Sequence, residues 1–561
     1  MNLTERSAQT LSVSLGLYRR FVGPKRQAAL MGLLIGLAQP PFGFLPGLFG
    51  YTVLLWSLDQ DLGPKPLRKA FAIGWWAGFA YFLVGCFWVA EAFLVDAENQ
   101  GWMAPFAVTL LPAGIALFWG AAFALYRRFR PDHVLRWLFF VGLFCGFEWL
   151  RGTILTGFPW NPAGATWKAG SALSQLAALF GVYGLSLVTV AVFSSLAVTV
   201  WGQGSFRMRW RGQLPVLTSA AILCAGLIYG SVRLATTSVV TTDTLVRIVQ
   251  PNVGQRAKWT EGALMRVLDG YAAMTHAPVK REILQSETNS DNPPYPRIVI
   301  WPEGALPDSA ENLLDPQSET AKVFGGLLRE DQTLLWGAYH QDIDSQKGVV
   351  WRNSLLSLHR HAGETQVRVA YSKFKLVPFG EFLPFEKTLE KVGIKELVHV
   401  GDGFTAGKRT HSVEIDDIPR FLPLICYEGL FPALSSETFK GTDDTQRPQW
   451  IVNISNDAWF GPTTGPVQHL NLSSYRAIEE GLPMVRSTPT GVSAMIDPLG
   501  RIIKGSDINI GEAGFRDVLL PAPVKLTPYA FSRYAHLFLV GLFCLIPTAI
   551  ATFVRVSKRN Q

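Results

Sequence analysis

The chain has 561 residues, of which 48% are hydrophobic and only 17% charged, with a formal net charge of +8. That length exceeds one small domain, and so low a charge content excludes a uniformly soluble protein. The basic excess does not argue for nucleic acid, because Lys and Arg cluster beside apolar runs, the pattern of membrane topology. Apolar residues concentrate in 27–234 and 536–554, with a block of mixed polarity between them. Of the five cysteines, Cys86, Cys145, Cys224 and Cys544 lie in apolar runs. Cys426 alone lies in the mixed block, which therefore has no internal disulfide to make. The polar, basic stretch 1–26 has no small-residue cleavage site after it and does not read as a cleavable signal peptide.

A spanning helix needs about 20 mostly apolar residues. Eight segments are expected to span: 27–43, 44–58, 70–94, 103–126, 134–150, 173–201, 214–234 and 536–554. The first two read as a tight hairpin closed at Pro40 and Pro41, where proline ends a helix. Basic residues mark alternate connections. Arg19, Arg20, Lys25 and Arg26 precede the first segment; Lys65, Arg68 and Lys69 follow the second; Arg127, Arg128, Arg130 and Arg136 follow the fourth; Arg207, Arg209 and Arg211 follow the sixth; Arg555, Lys558 and Arg559 end the chain. The positive-inside rule then puts both termini in the cytoplasm and the mixed block outside it. The expected division is a membrane domain over 1–234 with seven helices, an extracytoplasmic domain over 235–530, and an eighth helix with a cytoplasmic tail over 531–561. Glu91, Glu148 and Arg151 are costly at membrane depth, and Glu148 and Arg151, three apart, can pair. Gly157-Phe-Pro-Trp-Asn161 reads as an outer interfacial loop able to hold a lipid head group.

Residues 243–520 alternate β-type runs with helical stretches. The runs are 245–250, 297–301, 333–339, 353–358, 367–371, 421–425, 450–454, 484–487 and 493–497; the helices are 259–276, 317–330 and 465–481. This alternation predicts one α/β domain of packed sheets. Segments 284–296 and 440–449 read as surface loops.

Three strand ends carry chemistry. Ile298-Val-Ile-Trp-Pro302-Glu303 runs a strand into a proline turn and presents a carboxylate. Tyr371-Ser-Lys373-Phe-Lys375 puts two lysines on one face of an extended chain, with Glu381 beyond a Pro-Phe-Gly turn. Phe421-Leu-Pro-Leu-Ile425 ends at Cys426, and a helix starting there favours thiolate over thiol. Alone, Glu303 reads as a loop residue, the lysines as a solvated edge and Cys426 as a small core hydrophobe. Together they make a thiol-acylation centre: a carboxylate to move the proton, an ammonium for the oxyanion, and a thiolate to form a thioester. No histidine partner is required, and none sits in a comparable frame.

These residues also carry a resemblance. WPEG at 301–304, YSKFKLVPFGEFLP at 371–384 and CYEG at 426–429 resemble the Glu-Lys-Cys motifs of the nitrilase superfamily. Asn453-Ile-Ser-Asn456-Asp457-Ala-Trp459-Phe-Gly461 and Arg476 to Gly491 fit the same frame. With EWLRG at 148–152 and GFPWN at 157–161, the chain resembles the apolipoprotein N-acyltransferase family almost end to end. The resemblance implies a helical membrane bundle of eight spans carrying an αββα nitrilase-like domain. It implies Glu303 as general base, Lys373 as oxyanion lysine and Cys426 as nucleophile. Glu381, Tyr427 and Glu428 would support the site; Trp259, Asn456 and Trp459 would line the substrate entrance. Lys375 departs from the family pattern, which leaves the choice between the two lysines open. The implied reaction takes an acyl chain from a phospholipid and passes it to the α-amine of a diacylglyceryl cysteine on an apolipoprotein, at a bacterial inner membrane. A tethered amidase or nitrile hydrolase, and an inert lipid-binding or transport protein, are the alternatives. No cofactor and no nucleic acid are expected, and nothing demands more than a monomer. No metal-ligand spacing appears, and His340, His359 and His361 read as surface residues.

Overall fold

The computed structural model describes residues 23–132, 134–199, 206–279, 295–345, 347–383, 403–409, 411–432, 434 and 447–559. The expected loop 440–449 falls mostly, and 284–296 almost wholly, outside the described residues. The chain divides into two compact units, Met1–Thr236 with Phe531–Gln561, and Thr237–Ala530.

Within the first unit, among the described residues, five helices are long and apolar enough to cross a membrane, not eight. They are Pro66–Cys86, Ala97–Phe129, Leu173–Val198, Gly212–Thr236 and Ala535–Phe553. The other three expected spans are helical but short. Pro24–Leu37 has 14 residues, Gly50–Asp59 has 10 after a 3-10 turn, and Arg136–Arg151 has 16. At 1.5 Å per residue these fall short of a hydrocarbon core about 30 Å thick. Glu91 lies beyond the third expected span's helix, in a separate turn Val89–Leu94.

The Glu148–Arg151 pair is formed and buried, with Arg151 Nη2 2.8 Å from Glu148 Oε2 and both side chains 1% exposed. Trp119 Nε1 donates to Glu148 Oε1 (2.8 Å), and Arg151 Nη1 donates to the Phe158 carbonyl. The loop 157–161 is thus packed against the helices of this unit, with its carbonyls filled by side chains. Trp160 is 1% exposed and packs on Trp88 at 4.4 Å, while the Asn161 carbonyl accepts from Tyr81 (2.6 Å). A loop whose carbonyls are filled by a buried guanidinium and a phenol no longer needs water.

The second unit builds two sheets from eleven strands among the described residues: β1 Thr241–Gln250, β2 Ile298–Ile300, β3 Thr333–Asp344, β4 Gly348–His361, β5 Glu364–Ser372, β6 Val413–Ile415, β7 Ile418–Ile425, β8 Trp450–Ile454, β9 Met484–Ser487, β10 Ala494–Ile496 and β11 Gly514–Pro521. Their orders are β11-β1-β2-β3-β4-β5 and β10-β9-β8-β7-β6. Strands β1–β3 and β7–β9 run parallel, so β2 and β7 each release their following residues at the carboxyl end of a parallel stack. The sequence reading missed β6 and β11. Both pair antiparallel at sheet edges, where a partly exposed strand needs no continuous apolar run.

Alternation along the strands makes the layers. Val246, Ile248, Ile300 and Leu335 of one sheet pack against Phe421, Ile425, Val452 and Val485 of the other. Val249, Val299, Leu334 and Trp336 face the opposite way, onto helices Ala263–His276 and Glu319–Leu327. Arg486, one residue out of phase with the core, meets Ser473 and His469 of helix Gly465–Glu480, and Asn453, likewise out of phase, accepts from Arg486. His340 is buried at 7% exposure, against the surface position read for it. It stands on the inner part of β3, where the strand runs on past the expected end at Tyr339.

Candidate active site

Glu303 follows β2 on a turn clamped to β3. Ala305 N–H donates to the Gly337 carbonyl (3.0 Å), and Gly337 N–H donates to the Pro302 carbonyl (3.2 Å). The approach is close enough to require glycine, since a Cβ on Gly337 would stand 2.4 Å from Glu303 Cα. Lys373 follows β5, and its N–H donates to the Asn353 carbonyl on β4 (2.8 Å). Cys426 follows β7 and opens a single 3-10 turn, Cys426–Leu430, rather than an α-helix. Its φ is +49°, in the left-handed region, which costs an ordinary residue about 1–2 kcal/mol.

The structure brings Glu303, Lys373 and Glu381 into contact. Lys373 Nζ donates to Glu303 Oε1 and to Glu381 Oε1, each at 3.0 Å. Asn353 Nδ2 donates to the same two oxygens at 2.7 and 2.8 Å. Val377 N–H fills Glu381 Oε2 (2.8 Å). Glu303 Oε2 is buried and takes no hydrogen bond from a described residue, so one lone-pair face of this carboxylate is left for a proton. Lys375 is set apart from this group. Its ammonium lies over the Phe431 ring at 5.1 Å and the Phe374 ring at 5.9 Å.

Glu428 braces the backbone. Its Oε1 accepts from Tyr371 (2.6 Å), Phe374 N–H (2.8 Å) and Lys375 N–H (3.0 Å), and its Oε2 from Ile425 N–H (2.8 Å). One carboxylate thus ties the strand end before Cys426 to the segment bearing Lys373. Tyr427 is buried edge-on against Phe431 at 5.0 Å. Trp259 is 58% exposed and Trp459 40%. The two turns that carry them are joined where Asn456 Nδ2 donates to Gln255 Oε1 (3.2 Å).

The charges act on one another. Burial disfavours the Lys373 ammonium, yet the Glu303 and Glu381 carboxylates hold its pKa well above the ordinary lysine value. Burial, then the Glu303 charge, pushes the Cys426 thiol up to about 12, with Lys373 opposing. The resting group is therefore a thiol, not the thiolate expected from a helix start. The single 3-10 turn offers little dipole, and the neighbouring carboxylate outweighs it. Nucleophilic attack from this site requires that the proton be taken as the bond forms.

Three features escaped the sequence reading. Asn353 bridges the carboxylates only through the β3–β4–β5 register, which pairs it with Tyr339. Lys258 is buried and donates to the Gly304 carbonyl; burial lowers its pKa to about 8, and the Glu303 charge opposes. His469 does sit beside the cysteine, with Nε2 3.2 Å from the Cys426 carbonyl oxygen. Its place in a Gln-His pair early in a helix was the available signal.

Residues 31–197 match the family model for the apolipoprotein N-acyltransferase N-terminal domain, and residues 296–511 match that for carbon-nitrogen hydrolase. Similar proteins named apolipoprotein N-acyltransferase extend over almost the whole chain. One from Caulobacter vibrioides is 43% identical over 533 residues, covering 95% of this chain and 94% of its own. One from Rhodopseudomonas palustris is 38% identical over 508 residues, covering 90% of each. One from Bradyrhizobium diazoefficiens is 37% identical over 540 residues, covering 95% of each.

Proposed function

Because the chain belongs to the apolipoprotein N-acyltransferase family, we propose that Cys426 carries an acyl chain from a phospholipid to the α-amine of a diacylglyceryl cysteine at a lipoprotein N-terminus. Glu303 Oε2 takes the thiol proton as sulfur attacks the ester carbonyl. Lys373 stabilises the tetrahedral oxyanion, and Glu381 and Asn353 hold Lys373 and Glu303 in register. The carbon–oxygen bond breaks, the lysophospholipid leaves with the proton from Glu303, and a thioester remains. The amine then attacks the thioester and gives its proton to Glu303. Carbon–sulfur cleavage follows, and the sulfur recovers that proton. Trp259, Asn456 and Trp459 are assigned to the substrate entrance, in keeping with two exposed indoles on turns joined by the Asn456–Gln255 bond. Tyr427 and Glu428 shape the cysteine turn.

The observation that carries this reading is the buried cluster of one ammonium between two carboxylates, electrostatically coupled to a thiol held on a left-handed turn. Purified protein mixed with phospholipid bearing a labelled sn-1 chain should gain one acyl mass on Cys426, and added diacylglyceryl peptide should remove it as an amide. Cys426→Ser should abolish the thioester. Release of free fatty acid alone would mark a hydrolase, and the absence of any adduct an inert lipid-binding domain.

The same proposal requires the 235–530 domain to meet both lipids outside the cytoplasm, at the inner membrane. Parity bears on this. Four of the five long helices precede the second unit, and four crossings would return it to the side of the N-terminus. Basic clusters beside both chain ends instead support eight crossings, with the three shorter helices included and both termini cytoplasmic. Labelling a cysteine introduced at exposed Ile343 with a membrane-impermeant maleimide in intact spheroplasts tests this. Protection from the reagent would refute the external placement.

A further inference from the structure

The mechanism above uses no histidine, yet a buried histidine contacts the backbone of the cysteine itself. His469, on helix Gly465–Glu480, is 1% exposed. Its Nδ1 lies 2.9 Å from Asp457 Oδ1 and 3.1 Å from Arg486 Nη2, and its Nε2 lies 3.2 Å from the Cys426 carbonyl oxygen. Arg486, on β9, donates from Nη2 to both Asp457 oxygens at 2.9 and 2.8 Å, and from Nη1 to Asn453 Oδ1. Ser455 Oγ donates to Asp457 Oδ1 (2.7 Å), and the Phe460 ring closes over the imidazole edge-on at 5.5 Å. A helix, a turn and a strand therefore converge on one backbone oxygen.

That oxygen belongs to a residue in an unfavourable conformation. The Cys426 φ of +49° persists only where its surroundings over-determine it. Two bonds flank the strain: Ile425 N–H on Glu428 Oε2, and the Cys426 carbonyl on His469. A carbonyl only accepts, so Nε2 carries the proton of that contact, and in the neutral ring Nδ1 accepts from Arg486 rather than donating to the nearby Asp457 carboxylate. Burial and the Arg486 charge both favour the neutral ring, with Asp457 opposing them.

We propose that His469 is a positioning residue for the nucleophile: anchored through Arg486, which Asp457 holds in place, its imidazole holds the Cys426 carbonyl and with it the left-handed turn that directs the sulfur. The inference rests on Cys426 being the acylated residue. It adds that the geometry of that residue is set from the helix side of the sheet, by a group that touches neither substrate.

Side-chain reach supplies the test. His469→Gln keeps an amide N–H long enough to meet the carbonyl, and its oxygen can accept from Arg486. His469→Asn keeps the polar contact with Asp457 and Arg486 but stops short of the carbonyl. Both variants of the full chain, in detergent micelles with labelled phospholipid, are read by single-turnover acylation of Cys426, KM for the lipid, and thermal midpoint. The Gln variant should acylate on the order of a hundredfold faster than the Asn variant, because a displacement near 1 Å at a reacting atom costs about that much. KM and thermal midpoint should match between them. Equal acylation rates, whether both fast or both slow, would overturn the positioning role while leaving the Cys426 assignment intact. A rate difference matched by an equal difference in thermal midpoint would reduce His469 to a structural residue and overturn it too. Absence of any Cys426 adduct in the unmutated protein would remove both readings.

Discussion

Gly337→Ala adds no polar or charged group yet should disable the site. The added Cβ would stand 2.4 Å from Glu303 Cα, 2.7 Å from the Pro302 oxygen and 2.9 Å from Gly304 N. All three are backbone atoms, so no rotamer change relieves the contact. Reaching ordinary van der Waals distance requires the Glu303 turn to retreat from β3 by about 1 Å. Overpacking of that size costs about 1–3 kcal/mol of stability. The larger effect is on chemistry. Glu303 Oε1 sits 3.0 Å from Lys373 Nζ and 2.7 Å from Asn353 Nδ2, and a retreat of that size breaks at least one of these contacts. A misplacement of about 1 Å costs on the order of a hundredfold in rate. Gly325→Ala is the control, because its Cβ meets nothing within 4 Å in helix Glu319–Leu327 and should stabilise by about 0.4–1 kcal/mol. Single-turnover acylation with labelled phospholipid reads the rate, and thermal denaturation the stability. A Gly337→Ala enzyme acylating at the wild-type rate would refute the argument that this turn positions the general base.

Asn353→Leu removes the neutral donor shared by two carboxylates, and hydrogen bonds to charged groups are worth about 1.5–3 kcal/mol. Acylation should fall by about ten- to a hundredfold while lipid KM is unchanged; a change confined to KM would show that Asn353 serves binding instead. The Cys426 thiol also makes a pH prediction. Its pKa is raised to about 12, so in lipid-free enzyme iodoacetamide alkylation should rise about tenfold per pH unit from 7 to 9.5 without a plateau. The Glu303 charge pushes this pKa upward, so Glu303→Gln should lower it and speed alkylation while abolishing acyl transfer. A plateau between pH 8 and 9 in the wild type would contradict the raised thiol.

Two residues of the proposed chemical centre, Glu303 and Cys426, could be read in the chain because each follows a buried strand, whereas Lys373 follows the largely exposed β5. Ile298–Ile300 before Glu303 and Phe421–Ile425 before Cys426 are short apolar runs, and such runs stop where a side chain must face a cleft. Hydropathy likewise marked the long helices, since lipid demands apolar length. What failed depended on contacts that no local pattern encodes. The aromatic, proline-rich pattern of loop 157–161 does not show that the buried Arg151 and Tyr81 meet its carbonyls. Lys373 and Lys375 share a strand face in one dimension, and only the placement of Glu303 and Glu381 from other segments tells them apart. The thiol's protonation could not be read from the chain for the same reason. Local sequence predicts a helix dipole at Cys426, whereas burial and a carboxylate from more than a hundred residues earlier set its charge. Composition and periodicity determine which side chains face inward. Only the packed sheets decide which of them meet, because hydrogen bonds and Coulomb forces act over a few ångströms of space rather than along the chain.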